Sequence, residues 1–306
     1  MNEGIDVAIV GGGPAGLAAS LTFGRAKKRA VLFDAGQRQV DARRNARAHA
    51  IYNFVTRDGA TPDAFRAEAR AQLARYETVR LVDSGVDRIE ERDGLFVVES
   101  AAETVRARRV LLATGMIDEP IAIEGAKELW GHAIFQCPFC HGFEHVGVPW
   151  AVLMRDARSV DFALNLTGWT RDLTFLTHGA PLDDVARARL DAARIVVDER
   201  RVEGFVGESH TMRAVRFADD AEIACGVLYA HPVQRQVPVV ETLGLTKDEH
   251  GFVQVDPMRK ETSRKGVFAA GDLASGMQSA IFGAAAGTHA AAFIVHELNA
   301  HDAVVA

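Results

Sequence analysis

The chain has little cysteine and no long uninterrupted apolar run. Only 3 cysteines occur among its 306 residues, which excludes a small disulfide-rich scaffold. The most apolar late segment, residues 281–295, contains Thr288 and His289 and is short for a membrane span. We therefore predict a packed helix there and no membrane partner. No basic, cleavable leader begins at Met1, and we expect a cytoplasmic location.

The sequence also lacks a strong charge of either sign. Its net charge is -6, and this mild acidity gives no reason to expect a nucleic-acid partner. One basic stretch, residues 43–47, is interpreted as a solvated face, with contact to an anionic ligand as the alternative. The length suggests about two domains.

A glycine-rich turn follows the first apolar segment. Gly11, Gly13 and Gly16 have the spacing G-x-G-x-x-G, and Asp34 ends the next apolar segment. In a dinucleotide-binding turn the first glycine permits a tight bend, the second admits a pyrophosphate and the third lets helix and strand pack closely. The acid would accept hydrogen bonds from ribose hydroxyls. The predicted elements are a strand at 5–10, a helix at 17–27 and a strand at 30–33.

The same pattern returns later, which predicts a second unit of the same kind. A strand at 150–154, a helix at 160–168 and a strand at 172–177 repeat the opening order. We predict two doubly wound, three-layer Rossmann-like α/β domains. Residues 1–114 and 231–306 would form one domain, interrupted by a degenerate NAD(P)-type domain at 115–230.

A second cofactor motif, Gly271-Asp272, lies between an apolar strand and a helix that begins near Gln278 or Ser279 and runs to Leu298. In flavoproteins of this layout the acid binds the ribityl or pyrophosphate region, and the helix directs its positive end at the flavin. Together with the first turn, this motif favours FAD over NAD.

Cys137 and Cys140 form a C-x-x-C pair that is followed by His141. Such a pair can cycle between dithiol and disulfide, and a neighbouring histidine can carry protons near neutral pH. A zinc site completed by His132 and His145 is an alternative, although no second cysteine pair is present. Inert cysteines are a further alternative, and Cys225 is interpreted as a small buried residue.

Taken together, these motifs resemble the low-molecular-weight thioredoxin reductases, in the family's order and over almost the whole chain. The resemblance implies a split FAD domain and a homodimer. It also implies that Cys140 faces the flavin while Cys137 exchanges disulfides with the substrate. The FAD contacts it implies are Gly11, Gly13, Pro14, Ala15, Gly16, Asp34, Asn45, Thr114, Gly115, Gly271, Asp272, Gln278, Ser279 and Ala280.

The second unit departs from that family. Met154 and Asp156 stand where its NADPH turn has two glycines, and no arginine pair follows the next strand. Side chains at these positions would hinder a pyrophosphate, and Asp156 would repel it. Arg155, Arg158 and the later Arg171 could bind an anion in another way. We expect NADPH not to bind in the usual mode.

The residue after Cys140 is the other departure, because thioredoxin reductases have an acid there. Cys140-His141-Gly142 is instead similar to the dithiol oxidases of gliotoxin and holomycin pathways, as are Asn45 and His49. This resemblance implies that a small-molecule or protein dithiol is oxidised through Cys137, Cys140, His141 and His145, with O2 as acceptor. For His145 and His49 a surface or packing role is the alternative. A disulfide reductase using NADPH atypically, or a donor such as ferredoxin, is the alternative, and a non-enzymatic redox sensor is another.

Overall fold

The chain forms two compact units in a computed structural model that describes residues 4–37 and 44–305. The first unit comprises Met1–Ala46, Phe54–Asp118 and Gln234–Ala306, and the second comprises Arg47–Asn53 and Glu119–Val233. The division therefore follows residues 118 and 233, where we placed it after 114 and 230. Segment 47–53, which we assigned to the first domain, belongs to the second unit. Residues 1–3 and Arg43 lie outside the described residues.

The first unit is built on a sheet whose central strands are buried on both faces. Ala30–Phe33 is buried at every position, and Ile5–Val10 at every position but the first, which is typical of parallel strands covered by helices. The sheet order is β3-β2-β1-β6-β5-β4, with β17 beside β6. Its strands are β1 Ile5–Val10, β2 Ala30–Phe33, β3 Val79–Val82, β4 Val86–Arg92, β5 Leu95–Ser100, β6 Thr104–Leu112 and β17 Val267–Ala269.

Helices cover this sheet, and a short ribbon stands apart from it. Helix α1 begins at Pro14, earlier than the predicted residue 17, because proline is favoured in the first turn. Thr61 caps α2 by accepting the N–H of Ala64. The two-stranded ribbon pairs β7 with β16. The elements are α1 Pro14–Arg25, α2 Pro62–Leu73, α7 Pro238–Glu241, α8 Ala280–Val305, β7 Ile117–Asp118 and β16 Gln234–Arg235.

Helix α8 extends beyond the predicted end at Leu298. It is long and apolar enough to cross a membrane by length and composition alone. Its Ala290, Ala291 and Ile294 are nevertheless fully buried in a core shared with α1. Added bulk at Gly287 would lie 2.0 Å from the carbonyl oxygen of Ala15. The helix therefore packs closely inside the first unit, as the sequence predicted.

The second unit repeats the parallel arrangement, in the order β11-β10-β9-β15-β8, and adds an antiparallel sheet of β12, β13 and β14. The α/β fold class is confirmed. Strand β12 was not predicted, because its two glycines weaken the strand pattern. The elements are α3 Ala126–Leu129, β8 Ile134–Phe135, α4 Pro138–His141, β9 Trp150–Leu153, α5 Arg158–Leu166, β10 Leu173–Leu176, α6 Asp184–Ala192, β11 Val196–Asp198, β12 Val202–Glu208, β13 Thr211–Phe217, β14 Glu222–Ala224 and β15 Val227–Tyr229.

Candidate active site

The glycine turn between β1 and α1 forms an open cradle. Gly11 has a φ of +113°, and a methyl group there would lie 2.3 Å from the carbonyl oxygen of Ala113. One at Gly16 would lie 1.9 Å from the carbonyl oxygen of Gly11. At Gly13 no protein atom lies within 4 Å of that position, and no side chain caps the helix. The free space and the helix N-terminus together fit a bound pyrophosphate.

Asp34 directly follows β2 and is only 2% exposed. Its Oδ2 accepts hydrogen bonds from Arg66 at 2.5 Å and Arg70 at 3.1 Å, and its Oδ1 accepts the N–H of Gly36. The two arginines keep this buried carboxylate compensated. Gly12 is also required here, since a methyl group on it would lie 2.3 Å from Asp34.

The second predicted motif is brought against the first. Gly271 has a φ of +88°, and bulk at this position would lie 3.1 Å from the Cβ of Ala15. The other predicted cofactor residues of this unit stand at nearby element ends. Thr114 and Gly115 follow β6, Gln278 and Ser279 precede α8, Ala280 begins α8, and Asn45 is half-buried.

Arg44 corrects our interpretation of the basic stretch as a solvated face. Its side chain is 18% exposed and forms ion pairs with both Asp118 and Asp272. Burial raises the pKa of Asp272, and the charge of Arg44 opposes this effect. Arg44 is thus bound to one of the two predicted cofactor acids.

Cys137 and Cys140 are joined in a disulfide at the single-turn helix α4, which Cys137 precedes as N-cap. Both cysteines are partly exposed. Gly142 follows this turn, and a methyl group there would lie 2.8 Å from the indole of Trp169. Burial raises the pKa of the Cys225 thiol to about 12, so this third cysteine stays a protonated thiol near neutral pH and is a poor nucleophile.

His141 lies between aromatic rings. Phe135 stacks on it with ring centroids 4.3 Å apart, and Tyr52 meets it edge-on at 6.4 Å. Burial, reinforced by His145 and His49, lowers the pKa of His141 to about 4. The imidazole is therefore neutral at pH 7 and able to accept a proton.

The other histidines in this region fall into two groups. His145 is tilted against Phe135 at 5.1 Å, and burial lowers its pKa. His49 instead contacts His132, with Nε2 3.1 Å from Nδ1, and His210 stacks on His132. His132 is thus engaged with other histidines. The two cysteines are bonded to each other, and within the described ranges no group of three or more His, Cys, Asp or Glu side chains is arranged to hold a metal.

The apolar residues around the disulfide differ in exposure. Pro138 is buried, whereas Phe139 is 62% and Phe143 is 84% exposed. Core packing therefore accounts for Pro138 and not for the two phenylalanines. They are exposed apolar side chains close in sequence to the disulfide.

The turn between β9 and α5, which corresponds to the glycine turn of the first unit, is filled by its own side chains. The Ser159 hydroxyl accepts the N–H groups of Arg155 at 3.0 Å and Asp156 at 3.4 Å. Asp156 accepts the N–H of Arg158 at 3.0 Å and pairs with its guanidinium. Arg155 donates to the carbonyl of Pro232. The amides of Arg155, Asp156 and Arg158, and the side chains of both arginines, already have protein partners here.

Tyr52, Arg66 and Ser159 were not predicted as site residues, and Arg44 was interpreted as part of a solvated face. Arg44 and Tyr52 had a local signal, because Arg44 lies in the basic stretch beside Asn45 and Tyr52 lies three positions after His49. The others act through partners distant in sequence or through a hydroxyl with no motif of its own.

Comparison with known proteins supports one assignment. A family model described as pyridine nucleotide-disulphide oxidoreductase matches residues 5–287. The thioredoxin reductase tcpT of Claviceps purpurea is 32% identical, covering 98% of this chain and 97% of the relative. The crystal structure of HlmI matches with a TM-score of 0.91 and 32% identity, covering 100% of this chain and 96% of HlmI. The crystal structure of an oxidoreductase from Agrobacterium tumefaciens matches with a TM-score of 0.88 and 34% identity, covering 96% of this chain and 98% of that protein.

Proposed function

We propose that this chain, which belongs to the pyridine nucleotide-disulphide oxidoreductase family and is a thioredoxin-reductase-like FAD oxidoreductase, is a dithiol oxidase. It would close a disulfide in a substrate dithiol and pass two electrons to O2. The predicted resemblance to thioredoxin reductases and the assignment as an oxidoreductase are confirmed by the family match together with relatives named thioredoxin reductases. The direction of the reaction is our proposal.

The observation that carries this proposal is the contrast between the two nucleotide turns. The first has open space at Gly13 and an uncapped helix. In the second, Ser159 and Asp156 occupy the amides that would receive a pyrophosphate. The hydrogen bond from Arg158 lowers the pKa of Asp156, so the carboxylate stays ionised and keeps the guanidinium of Arg158 paired to itself rather than available to a phosphate. An enzyme that retains FAD but lacks a usual NADPH site needs electrons from another source, and a dithiol substrate supplies them.

FAD would be held by the glycine turn, Asp34 and Asp272. When bound, it supplies an acceptor for the electron pair of the Cys137–Cys140 dithiol and a donor to oxygen. The overall balance is one dithiol plus one O2 giving one disulfide plus one hydrogen peroxide.

The side chains of the second unit would carry out the thiol exchange. A substrate thiolate attacks Cys137, breaks its bond to Cys140 and forms a mixed disulfide; the second substrate thiolate then closes the product and releases Cys137. Neutral His141 accepts a thiol proton, helped by the negative charge that develops beside it, because a nearby anion raises the pKa of an imidazole. His145, whose charge acts on His141 and whose ring contacts Phe135, would relay that proton. The exposed Phe139 and Phe143 would contact an apolar part of the substrate.

A disulfide reductase is the second candidate, because relatives such as the protein from Claviceps purpurea are named thioredoxin reductases. It would need NADPH bound in an atypical mode, or a donor such as ferredoxin. For either direction we propose a homodimer in the cytoplasm.

The test is an anaerobic titration of the purified flavoprotein, first with NADPH and then with dithiothreitol as the dithiol, while the flavin absorbance is followed. We expect no bleaching by NADPH, stoichiometric bleaching by the dithiol, and recovery in air with one hydrogen peroxide per flavin. Rapid stoichiometric bleaching by NADPH would overturn the proposal in favour of the reductase.

A further inference from the structure

The first unit contains a hydrogen-bonded ring of five polar residues, closed through one backbone carbonyl, that the thiol chemistry does not use. We call it the Arg44 ring, and its members are Arg44, Asp118, Gln234, Gln278 and Asp272.

Arg44 joins the two acids of this ring. Its Nε and Nη2 donate to the two carboxylate oxygens of Asp118, at 2.8 and 3.0 Å. Its Nη1 donates to Oδ2 of Asp272 at 2.8 Å. A guanidinium alone offers this planar set of donors, which fixes geometry as well as charge.

The two glutamines close the ring on its other side. Gln234 donates to Oδ1 of Asp118 at 2.7 Å. The side-chain amides of the two glutamines also bond each other: Nε2 of Gln234 donates to Oε1 of Gln278 at 3.1 Å, and Nε2 of Gln278 donates to Oε1 of Gln234 at 3.0 Å. Gln278 also donates to the backbone carbonyl of Asp272 at 3.4 Å. Both the side chain and the backbone of Asp272 are therefore tied to the ring.

The frame that carries the ring is regular secondary structure. Asp118 and Gln234 stand directly opposite each other in the ribbon of β7 and β16. Asp118 is also the last residue before the chain leaves the first unit, and Gln234 is the first after its return. The backbone pairing gives the Arg44 clamp a fixed anchor.

We propose that Arg44 is a positioning residue for FAD, which acts by holding the carboxylate of Asp272 in its binding orientation. No hydrogen bond from the described residues reaches Oδ1 of Asp272, which leaves that oxygen for the cofactor. The charge of Arg44 also opposes the rise that burial causes in the pKa of Asp272. This role goes beyond the proposed function, and it holds for an oxidase and a reductase alike.

The experiment measures the rate at which the holoenzyme releases FAD after dilution, followed by the fluorescence of the freed cofactor. Arg44→Gln should release FAD about tenfold faster or more, because a hydrogen bond to a charged group is commonly worth that factor. The matched control is Arg109→Gln. Arg109 is 19% exposed and pairs with Glu297 of α8, and it lies outside the ring. The Arg109→Gln variant should lower the melting temperature about as much as Arg44→Gln does, while leaving the rate of FAD release unchanged.

Arg44→Lys separates charge from geometry. It keeps the cation but loses the fork onto Asp118, so we expect fast release here too. Wild-type release from Arg44→Gln, or equally fast release from both glutamine variants, would overturn the proposal. Wild-type release from Arg44→Lys would overturn the clamp geometry as its basis. None of these outcomes depends on whether NADPH or a dithiol reduces the flavin.

Discussion

At the residue scale, the chemistry depends on how the surroundings of similar side chains differ. Cys137 and Cys140 are accessible and bonded to each other, whereas Cys225 is buried and its thiol pKa is raised. His141 is kept neutral by burial among aromatic rings. Reactivity therefore follows exposure and local charge rather than residue type.

We predict that Cys140→Ser and Cys137→Ser each abolish dithiol turnover but keep the yellow flavin, because the exchange needs both sulfurs while FAD is held in the other unit. Oxygen uptake with dithiothreitol and the visible spectrum measure the two effects. Cys225→Ala is the matched control and should retain activity. Full activity of Cys140→Ser would contradict the mechanism.

We predict that His141→Gln slows turnover by roughly a hundredfold or more, since it removes a proton acceptor. It should also change the pH dependence of stability. The pKa of His141 is about 4 in the folded protein against 6.5 for the free side chain. The unfolded chain therefore binds more protons between these values, and stability is lost as the pH falls through that window.

Melting temperatures at pH 7.5 and 4.5 test this second effect. The wild type should lose more stability on acidification than His141→Gln. His250→Gln, at an exposed histidine, serves as the control and should behave like the wild type. An equal loss in His141→Gln and the wild type would contradict the assigned pKa.

At the scale of elements, the two strand-turn-helix units share a backbone arrangement but differ in whether the turn can accept a phosphate. The turn before α1 is open and ends in an uncapped helix. The turn before α5 is closed by Ser159 and Asp156. A helix N-terminus whose amides are satisfied internally has lost most of its affinity for an anion.

We predict that Gly13→Ala folds normally but binds FAD roughly tenfold more weakly. The added methyl meets no protein atom, but it would occupy the space of the pyrophosphate, at about the usual cost of overpacking. Titration of FAD into flavin-depleted protein gives the affinity, and thermal unfolding reports the fold. Gly168→Ala, which makes only an ordinary contact with Asn165, is the control. Unchanged FAD affinity of Gly13→Ala would argue against this cradle.

At the scale of the whole molecule, the first unit is assembled from three separate stretches of chain. Its cofactor residues come from both ends of the sequence and meet where α1, β17 and α8 pack together. The helix with the composition of a membrane span is used here as a core helix.

We predict that the protein is a homodimer in solution. The resemblance implies it, and large apolar side chains such as Phe282 and Met277 remain half or more exposed in the single chain. Light scattering after size exclusion should give twice the 33.1 kDa chain mass. A mass of 33.1 kDa at micromolar concentration would contradict this.

The sequence by itself determined the features that depend on neighbouring residues. The glycine spacing specifies a tight turn through backbone sterics, Thr61 and Pro62 specify a helix start, and the spacing of Cys137 and Cys140 allows a disulfide between them. Each of these signals spans only a few positions, so local physics is sufficient to interpret it.

Only the tertiary structure decided which charges and rings meet. Arg44 forms hydrogen bonds with Asp118 and Asp272, which lie 74 and 228 residues away in the sequence. No periodic pattern along the chain predicts contacts over such separations. The neutral state of His141 depends on burial by Phe135 and Tyr52, which the fold supplies. The closure of the second nucleotide turn required the position of the Ser159 hydroxyl. Long-range burial and charge pairing are properties of the packed chain, and they gave this site its chemistry.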